Sequence, residues 1–466
     1  RLMMARIRQL IFGRFARDAA ATQVSLVVSA ACGLGTSVIL ARGLGQAEYG
    51  RYALVFALYG LVNILGDVGI GKASITRLAE ARGSDDADAL TEQAAYLLKM
   101  TVVISVAVTA VGLIFAPSLG RLLNPGFRLG PYVRVLFLTS VAGIGRGFAA
   151  PLLTGMRRMR SAATIEISFA VLRVAAVGAA IVAGLGLWGV VGAHITATLA
   201  VSVVGLAVCR RTIAGVEALP SLGELAGKAV HVPWWDTFKF GARVTFDRQM
   251  SKLIELLPVL VLGRLGASPR PAGFFNLGRN IVRNLGLLLL GVSRNLLPFF
   301  AELKGKRHFA RMRRDYWRAA VAGGAGAIAV TAVCVPFLPA ALAFVYGADW
   351  VHATAAVAYV LLAKLVVEGF GIGLGAFIVV TDRVWWLARL KLVSLPLGVG
   401  ALIGAALLGQ AYWHDPLVGV AVGAAAAYAA WWIALALIQL VESFRVLNAL
   451  AAQDAGTELD QSEPGS

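Results

Sequence analysis

Residues 19–52 read AAATQVSLVVSAACGLGTSVILARGLGQAEYGRY. Ala19 to Ala41 is an uncharged apolar run, Arg42 ends it, and a second run opens at Gly50. A hydrocarbon core about 30 Å thick needs about 20 apolar residues per crossing helix. The stretch therefore reads as one membrane span, a short basic turn and the start of the next. The same alternation continues to Leu440. The predicted spans are 19–41, 50–72, 95–116, 132–155, 163–183 and 188–209 in the first half, then 241–263, 272–298, 318–345, 351–380, 385–408 and 416–440. That makes an all-α integral membrane fold of twelve helices.

Composition agrees. Of 466 residues 59% are hydrophobic and only 15% charged, with mean hydropathy +0.77; a soluble domain carries about a quarter charged residues. The net charge of +18 is not interleaved with aromatic stacking platforms, so no nucleic-acid partner is expected. Its basic residues sit mostly in connectors. Arg157, Arg158 and Arg160, the pair Arg210-Arg211, and the run Lys304, Lys306, Arg307, Arg311, Arg313, Arg314 fall on one side; Arg42, Arg51, Arg121, Arg128, Arg264 and Arg270 fall on the other. This bias puts both termini in the cytoplasm. Cys32, Cys209 and Cys334 lack metal or disulfide spacing, and the five histidines are scattered. No cofactor motif, metal site or catalytic elbow is visible. Asp85, Asp86 and Asp88 form a D-D-x-D cluster that reads as a solvated connector.

An internal repeat organises the chain. Leu40-Ala41-Arg42-Gly43-Leu44-Gly45 returns as Leu262-Gly263-Arg264-Leu265-Gly266, and Leu78-Ala79-Glu80-Ala81-Arg82-Gly83 as Phe300-Ala301-Glu302-Leu303-Lys304-Gly305, both at an offset of 222 residues. Six spans per copy make a parallel repeat. The expected organisation is a basic amphipathic interfacial helix over 1–18, a six-helix bundle over 19–209, a cytoplasmic linker over 210–240 bearing Trp234-Trp235, and a second six-helix bundle over 241–440. A cytoplasmic tail over 441–466 follows, disordered from Ala452, and a cavity between the bundles is expected.

Charges inside the spans single out the site. Span seven holds Arg243, Asp247, Arg248, Lys252 and Glu255, and at about 2.5 kcal/mol each, lipid exposure of all five would cost about 12 kcal/mol. Arg248, Lys252 and Glu255 share one helix face, and span eight adds Asn276, Arg279, Asn280 and Arg283. Such stripes belong against water. Arg146, Glu166, Arg173, the Lys364/Glu368 pair and Asp67 are further buried charges, Asp67 within the glycine-dense Gly66-Asp67-Val68-Gly69-Ile70-Gly71. Substrate binding is assigned to Arg146, Arg173, Arg248, Lys252, Arg279 and Arg283, because guanidinium forks and ammonium charges suit phosphate or acidic sugar. Asp67, Asp247, Glu255 and Glu368 are the candidates for ion coupling.

Leu40-Ala41-Arg42-Gly43-Leu44-Gly45 with Tyr49-Gly50-Arg51-Tyr52, and Leu65-Gly66-Asp67-Val68-Gly69-Ile70-Gly71, resemble the first turn and the D-x-G segment of the polysaccharide transporter family. These are the O-antigen and capsule flippases of the superfamily that also holds multidrug antiporters and the lipid II flippase. The resemblance implies a bacterial inner-membrane flippase that moves polyprenyl-pyrophosphate-linked oligosaccharide to the outer leaflet by alternating access. It also implies a coupling proton or sodium ion, contact with membrane lipid and a possible polymerase or ligase partner, but no covalent chemistry. A multidrug or cation antiporter and a lipid II flippase remain alternatives, as does a membrane-embedded polymerase or glycosyltransferase, which the short connectors disfavour.

Overall fold

The structure, a computed structural model, describes residues 14–460 except 67–68, 124–125, 127, 215–218, 267, 306–307 and 382. Among the described residues every regular element is helical. In chain order these are α1 (Arg14–Gly66), α2 (Ile70–Gly83), α3 (Ala87–Leu123), α4 (Gly130–Leu136), α5 (Leu138–Ala142), α6 (Ile144–Gly155), α7 (Met159–Val182), α8 (Gly186–Ala214), α9 (Leu222–His231) and α10 (Trp235–Leu265). There follow α11 (Arg270–Gly305), α12 (Phe309–Tyr346), α13 (Val351–Phe370), α14 (Leu374–Val380), α15 (Val384–Tyr412) and α16 (Pro416–Asp460).

Eight described helices are long and apolar enough to cross a membrane, and the bent pair Gly130–Ala142 with Ile144–Gly155 makes a ninth. One of the eight, α1, is itself two spans, because Gly45 takes φ 69° and breaks the helix where the sequence turns. The charge-bearing α10 and α11 complete the twelve.

The chain divides into two compact units, Arg1–Gln249 and Met250–Ser466. In the first, α1 packs against α7, and α8 against both α6 and α7. Its core gathers Leu78, Tyr96, Leu97, Phe148, Leu152, Ile165 and Val201. Leu225 and Ala229 of α9 join that core. Ser221 and Glu224 form a capping box at the start of α9, and Lys99 Nζ donates to the carbonyls of Val230 and Val232 at its end. The stretch 219–232 is thus docked on α3 of the first unit. In the second unit α15 packs on α16, and α13 on α12, α11 and α16.

The repeat holds at the level of burial. Leu78 and Phe300 are both fully buried, and Ala81 and Leu303 nearly so. Glu80, Arg82, Glu302 and Lys304 face outward. Helices α2 and α11 end on Gly83 and Gly305, 222 residues apart. The last helix continues to Asp460, past the Ala452 boundary from which the composition suggests disorder; Leu450-Ala451-Ala452-Gln453 are good helix formers and extend it. Residues 1–13 of the expected interfacial helix lie outside the described residues, and Arg14 already belongs to α1.

The glycine-dense segment around Asp67 breaks the helix: α1 ends at Gly66, and α2 starts after Gly69, which has φ 78°. A Cβ on Gly69 would sit 2.2 Å from the Gly241 carbonyl oxygen, backbone that cannot yield. Gly69→Ala is therefore expected to destabilise the protein by about 2 kcal/mol or more, combining a left-handed φ with the clash. Gly227→Ala, in α9 with open space around it, is expected to leave thermal unfolding in detergent unchanged or slightly raised. Equal melting of the two variants would contradict the close approach of α2 to α10.

Candidate functional site

The second unit contains a cavity of about 410 Å³ lined by α10, α11, α13, α14, α16 and the turn between α13 and α14. Its charged lining is Glu255, Arg279, Arg283, Lys364 and Glu368, with Tyr428 as its aromatic wall. Four of these five come from helices α11 and α13; Glu255 comes from α10, three residues before the in-helix Pro258. Arg279 is held as a fork: Nη1 donates to the Glu255 backbone carbonyl and Nη2 to Asn276 Oδ1 at 2.9 Å. Its Nε is buried without a partner. Lys364 Nζ pairs with Glu368 Oε1, one turn away on α13, and stands 5.6 Å and 5.3 Å from the ring centres of Tyr428 and Trp432. The Glu255 carboxylate has no hydrogen-bond or ion-pair partner among the described residues. With all five ionised, three cations face two carboxylates, so the chamber carries one excess positive charge. It would attract an anion, and its two carboxylates supply sites where a proton or cation could bind.

The first unit gathers the remaining predicted arginines. Arg146 of α6 pairs with Glu166 of α7 at 2.7 Å. Its guanidinium carbon lies 4.0 Å above the Phe169 ring, and that of Arg173 lies 5.4 Å from the same ring. Arg146 is also tied through its backbone N–H to Ser202 Oγ on α8. The Nε atoms of both arginines are buried and unpartnered. Leaving a buried donor unsatisfied costs about 1–3 kcal/mol.

The other predicted residues are not gathered in either place. Arg248 is exposed and is followed one residue later by the end of the first unit. Lys252 and Asp247 are half-buried and engaged with neighbours, and neither lines the cavity. Asp67 and the side chain of Arg243 lie outside the described residues. Among the described residues no group of His, Cys, Asp or Glu could hold a metal. Asp86 instead accepts the Ala89 N–H and caps α3.

Three features escape the sequence reading. Lys391 of α15 is 4% exposed and donates to Ser251 Oγ at 2.8 Å. Ser394 Oγ donates to the Lys391 carbonyl and accepts the Trp431 Nε1–H, tying α15 to α16. Tyr428 forms a wall of the cavity. In α1, Tyr49, Tyr52, Phe56 and Tyr59 form a ladder of ring contacts that ends on His194 and Phe137. Their 3-4-3 spacing is visible in the chain, and so is the charge of Lys391 inside the span 385–408.

Known proteins share this fold. A family model described as "Polysaccharide biosynthesis protein" matches residues 15–304. An inward-facing multidrug resistance MATE family transporter of the MOP superfamily superposes with TM-score 0.74 at 18% identity, over 93% of this chain and 99% of that one. Its outward-facing counterpart gives 0.60 at 16% identity, over 94% and 96%. A MOP superfamily transporter from Pyrococcus furiosus, described as having a binding pocket of reverse polarity, gives 0.64 at 17% identity, over 95% and 98%. No curated protein sequence matches significantly.

The Arg146–Glu166 pair is partly open to solvent, the carboxylate side chain being 40% exposed, so screening limits its strength. A double-mutant cycle on Arg146→Ala and Glu166→Ala, read from unfolding in detergent, is expected to give a coupling of about 0.5–1 kcal/mol. Strict additivity would mean that the two side chains do not meet.

Proposed function

The chain belongs to the polysaccharide biosynthesis protein family and shares its fold with MOP superfamily transporters, and from that premise we propose that it flips a polyprenyl-pyrophosphate-linked oligosaccharide from the inner to the outer leaflet of the bacterial cytoplasmic membrane. It is a multi-pass membrane protein whose relatives of known structure are transporters. The observation that carries the reading is the cavity of the second unit, where Arg279, Arg283 and Lys364 converge within apolar walls. An organic cation would meet an excess positive charge there, whereas a pyrophosphate would find a guanidinium fork and an ammonium group. The lipid tail stays in the bilayer, so only the polar head has to be accommodated.

In this reading Arg279, Arg283 and Lys364 hold the phosphates. Arg146 and Arg173 act on the glycan, and Arg248 and Lys252 on the head group as it enters. Glu255 and Glu368 carry the coupling proton or sodium ion, with Asp67 and Asp247 as further candidates. A head group binding beside Lys364 competes with Glu368 for the ammonium, which links anion occupancy to the charge state of the carboxylate by reciprocal coupling. Both termini lie in the cytoplasm, where the basic connectors are retained. Alternating access turns the loaded site from one side of the membrane to the other, and a polymerase or ligase receives the product.

Each guanidinium lost from such a site removes about 1.5–3 kcal/mol of charge-assisted hydrogen bonding, or roughly 10- to 150-fold in affinity. Arg279→Ala and Arg283→Ala are expected to insert normally yet cut glycan export by at least tenfold, with lipid-linked intermediate accumulating in the inner leaflet. Undiminished export in both, or efflux of organic cations by the purified protein in vesicles, would overturn the assignment. Glu255→Gln and Glu368→Gln are expected to retain binding of inorganic pyrophosphate while transport loses its dependence on the ion gradient; a gradient dependence equal to the parent's in both would remove these carboxylates from coupling.

A further inference from the structure

The polar and aromatic groups of the first unit have a different chemistry from the cavity of the second. Along the second arm of α1, Tyr52, Phe56, Tyr59 and Asn63 follow one another at helical spacing and are all half-buried. Phe56 meets His194 of α8 at 4.5 Å between ring centres and Tyr52 at 4.5 Å, both in tilted geometry. His194 is 9% exposed, and its Nε2 is buried with no partner. Arg173 lies on α7, which packs along the α8 that carries His194. Arg173 also flanks Phe169.

The charges do not cancel. Arg146 is matched by Glu166, but Arg173 has no hydrogen bond or ion pair among the described residues. A half-buried guanidinium in the middle of a span faces water, not acyl chains. Gathered on α1, α7 and α8 are therefore an aromatic surface, one unmatched positive charge and one unsatisfied imidazole nitrogen. Phosphate would use the charge but has no face to lay on a ring. A pyranose has one: its axial C–H groups meet the negative face of an aromatic ring, while its hydroxyls and acidic substituent need directed polar partners.

We propose that Tyr52, Phe56, Arg173 and His194 form a sugar-ring subsite for an acidic pyranose. The ring lies on Phe56 and Tyr52, the carboxylate is held by Arg173, and a ring hydroxyl hydrogen-bonds His194 Nε2. This rests on the reading of the chain as a glycan-lipid flippase and deepens it: the first unit reads the glycan, and the second holds the pyrophosphate.

The test uses the full chain in nanodiscs and a defined probe, the glucuronosyl–N-acetylglucosamine disaccharide, followed by saturation-transfer NMR. The parent protein is expected to saturate the disaccharide, and neutral lactose at least fivefold less. Arg173→Gln and Phe56→Leu are expected to lower the disaccharide signal at least fivefold while binding inorganic pyrophosphate as the parent does, which also shows that they are folded. If Phe56→Leu loses both ligands, Tyr52→Leu takes its place. Arg279→Ala is expected to leave the disaccharide signal unchanged, and added pyrophosphate not to displace the sugar. No disaccharide signal in the parent, equal signals in parent and Arg173→Gln, or displacement by pyrophosphate would overturn the subsite. In each case the pyrophosphate arm stands on its own: its failure in the parent would sink the flippase reading instead.

Discussion

An ionised side chain at mid-membrane depth must meet either water or a partner, and that constraint decides where everything polar in this chain can lie. Insertion into hydrocarbon costs each charge about 2.5–3.5 kcal/mol on translocation scales. The chain answers in two ways. Lys364 with Glu368 and Arg146 with Glu166 are matched across short distances. Arg173 and Glu255 are left without ion-pair partners among the described residues, Arg173 beside the Phe169 ring and Glu255 on the cavity wall. Matched pairs make the helices insertable, and the unmatched groups are what a ligand can compete for.

The two units solve the same problem with different surroundings. In the second, cations share a chamber with carboxylates and a tyrosine wall, and Arg279 is fixed by a backbone carbonyl and an asparagine. A guanidinium locked at two points presents its remaining N–H groups in one direction, which suits a planar or tetrahedral oxyanion. In the first, the guanidiniums lie over a phenylalanine face, and the surrounding side chains are rings. That environment favours broad contact over point-charge recognition.

Much of this was legible in the chain. Uninterrupted apolar runs locate the spans, and the 222-residue offset aligns buried Leu78 with buried Phe300. Arg279, Arg283, Glu255 and Glu368 stand out because charge inside an apolar run is rare, and the fold does bring them together. Helical spacing states which side chains share a face but not what covers that face. That is why Arg248 and Lys252, in register with Glu255, do not line the same chamber. Lys391 stands as a charge inside the span 385–408, but its partner Ser251 is 140 residues away in the chain and is seen only in the fold. Aromatics at 3-4 spacing are what any packed helix carries, so Tyr52 and Phe56 gain meaning only once His194 is found against Phe56.

Two helix irregularities border the second unit's chamber. Pro258 interrupts α10 one turn after Glu255, since proline offers no N–H to the carbonyl four residues back. On the opposite wall α13 stops at Phe370, and a tight turn through Gly371 and Ile372 leads into α14 just after Glu368. Each carboxylate therefore sits beside a place where the backbone ladder is already broken, and bending there forfeits few further hydrogen bonds. A helix that bends at low cost can convert a change in the charge of its carboxylate into displacement of one arm, whereas a continuous helix would resist it. Charge and hinge share a residue neighbourhood at Glu255 with Pro258 and at Glu368 with Gly371.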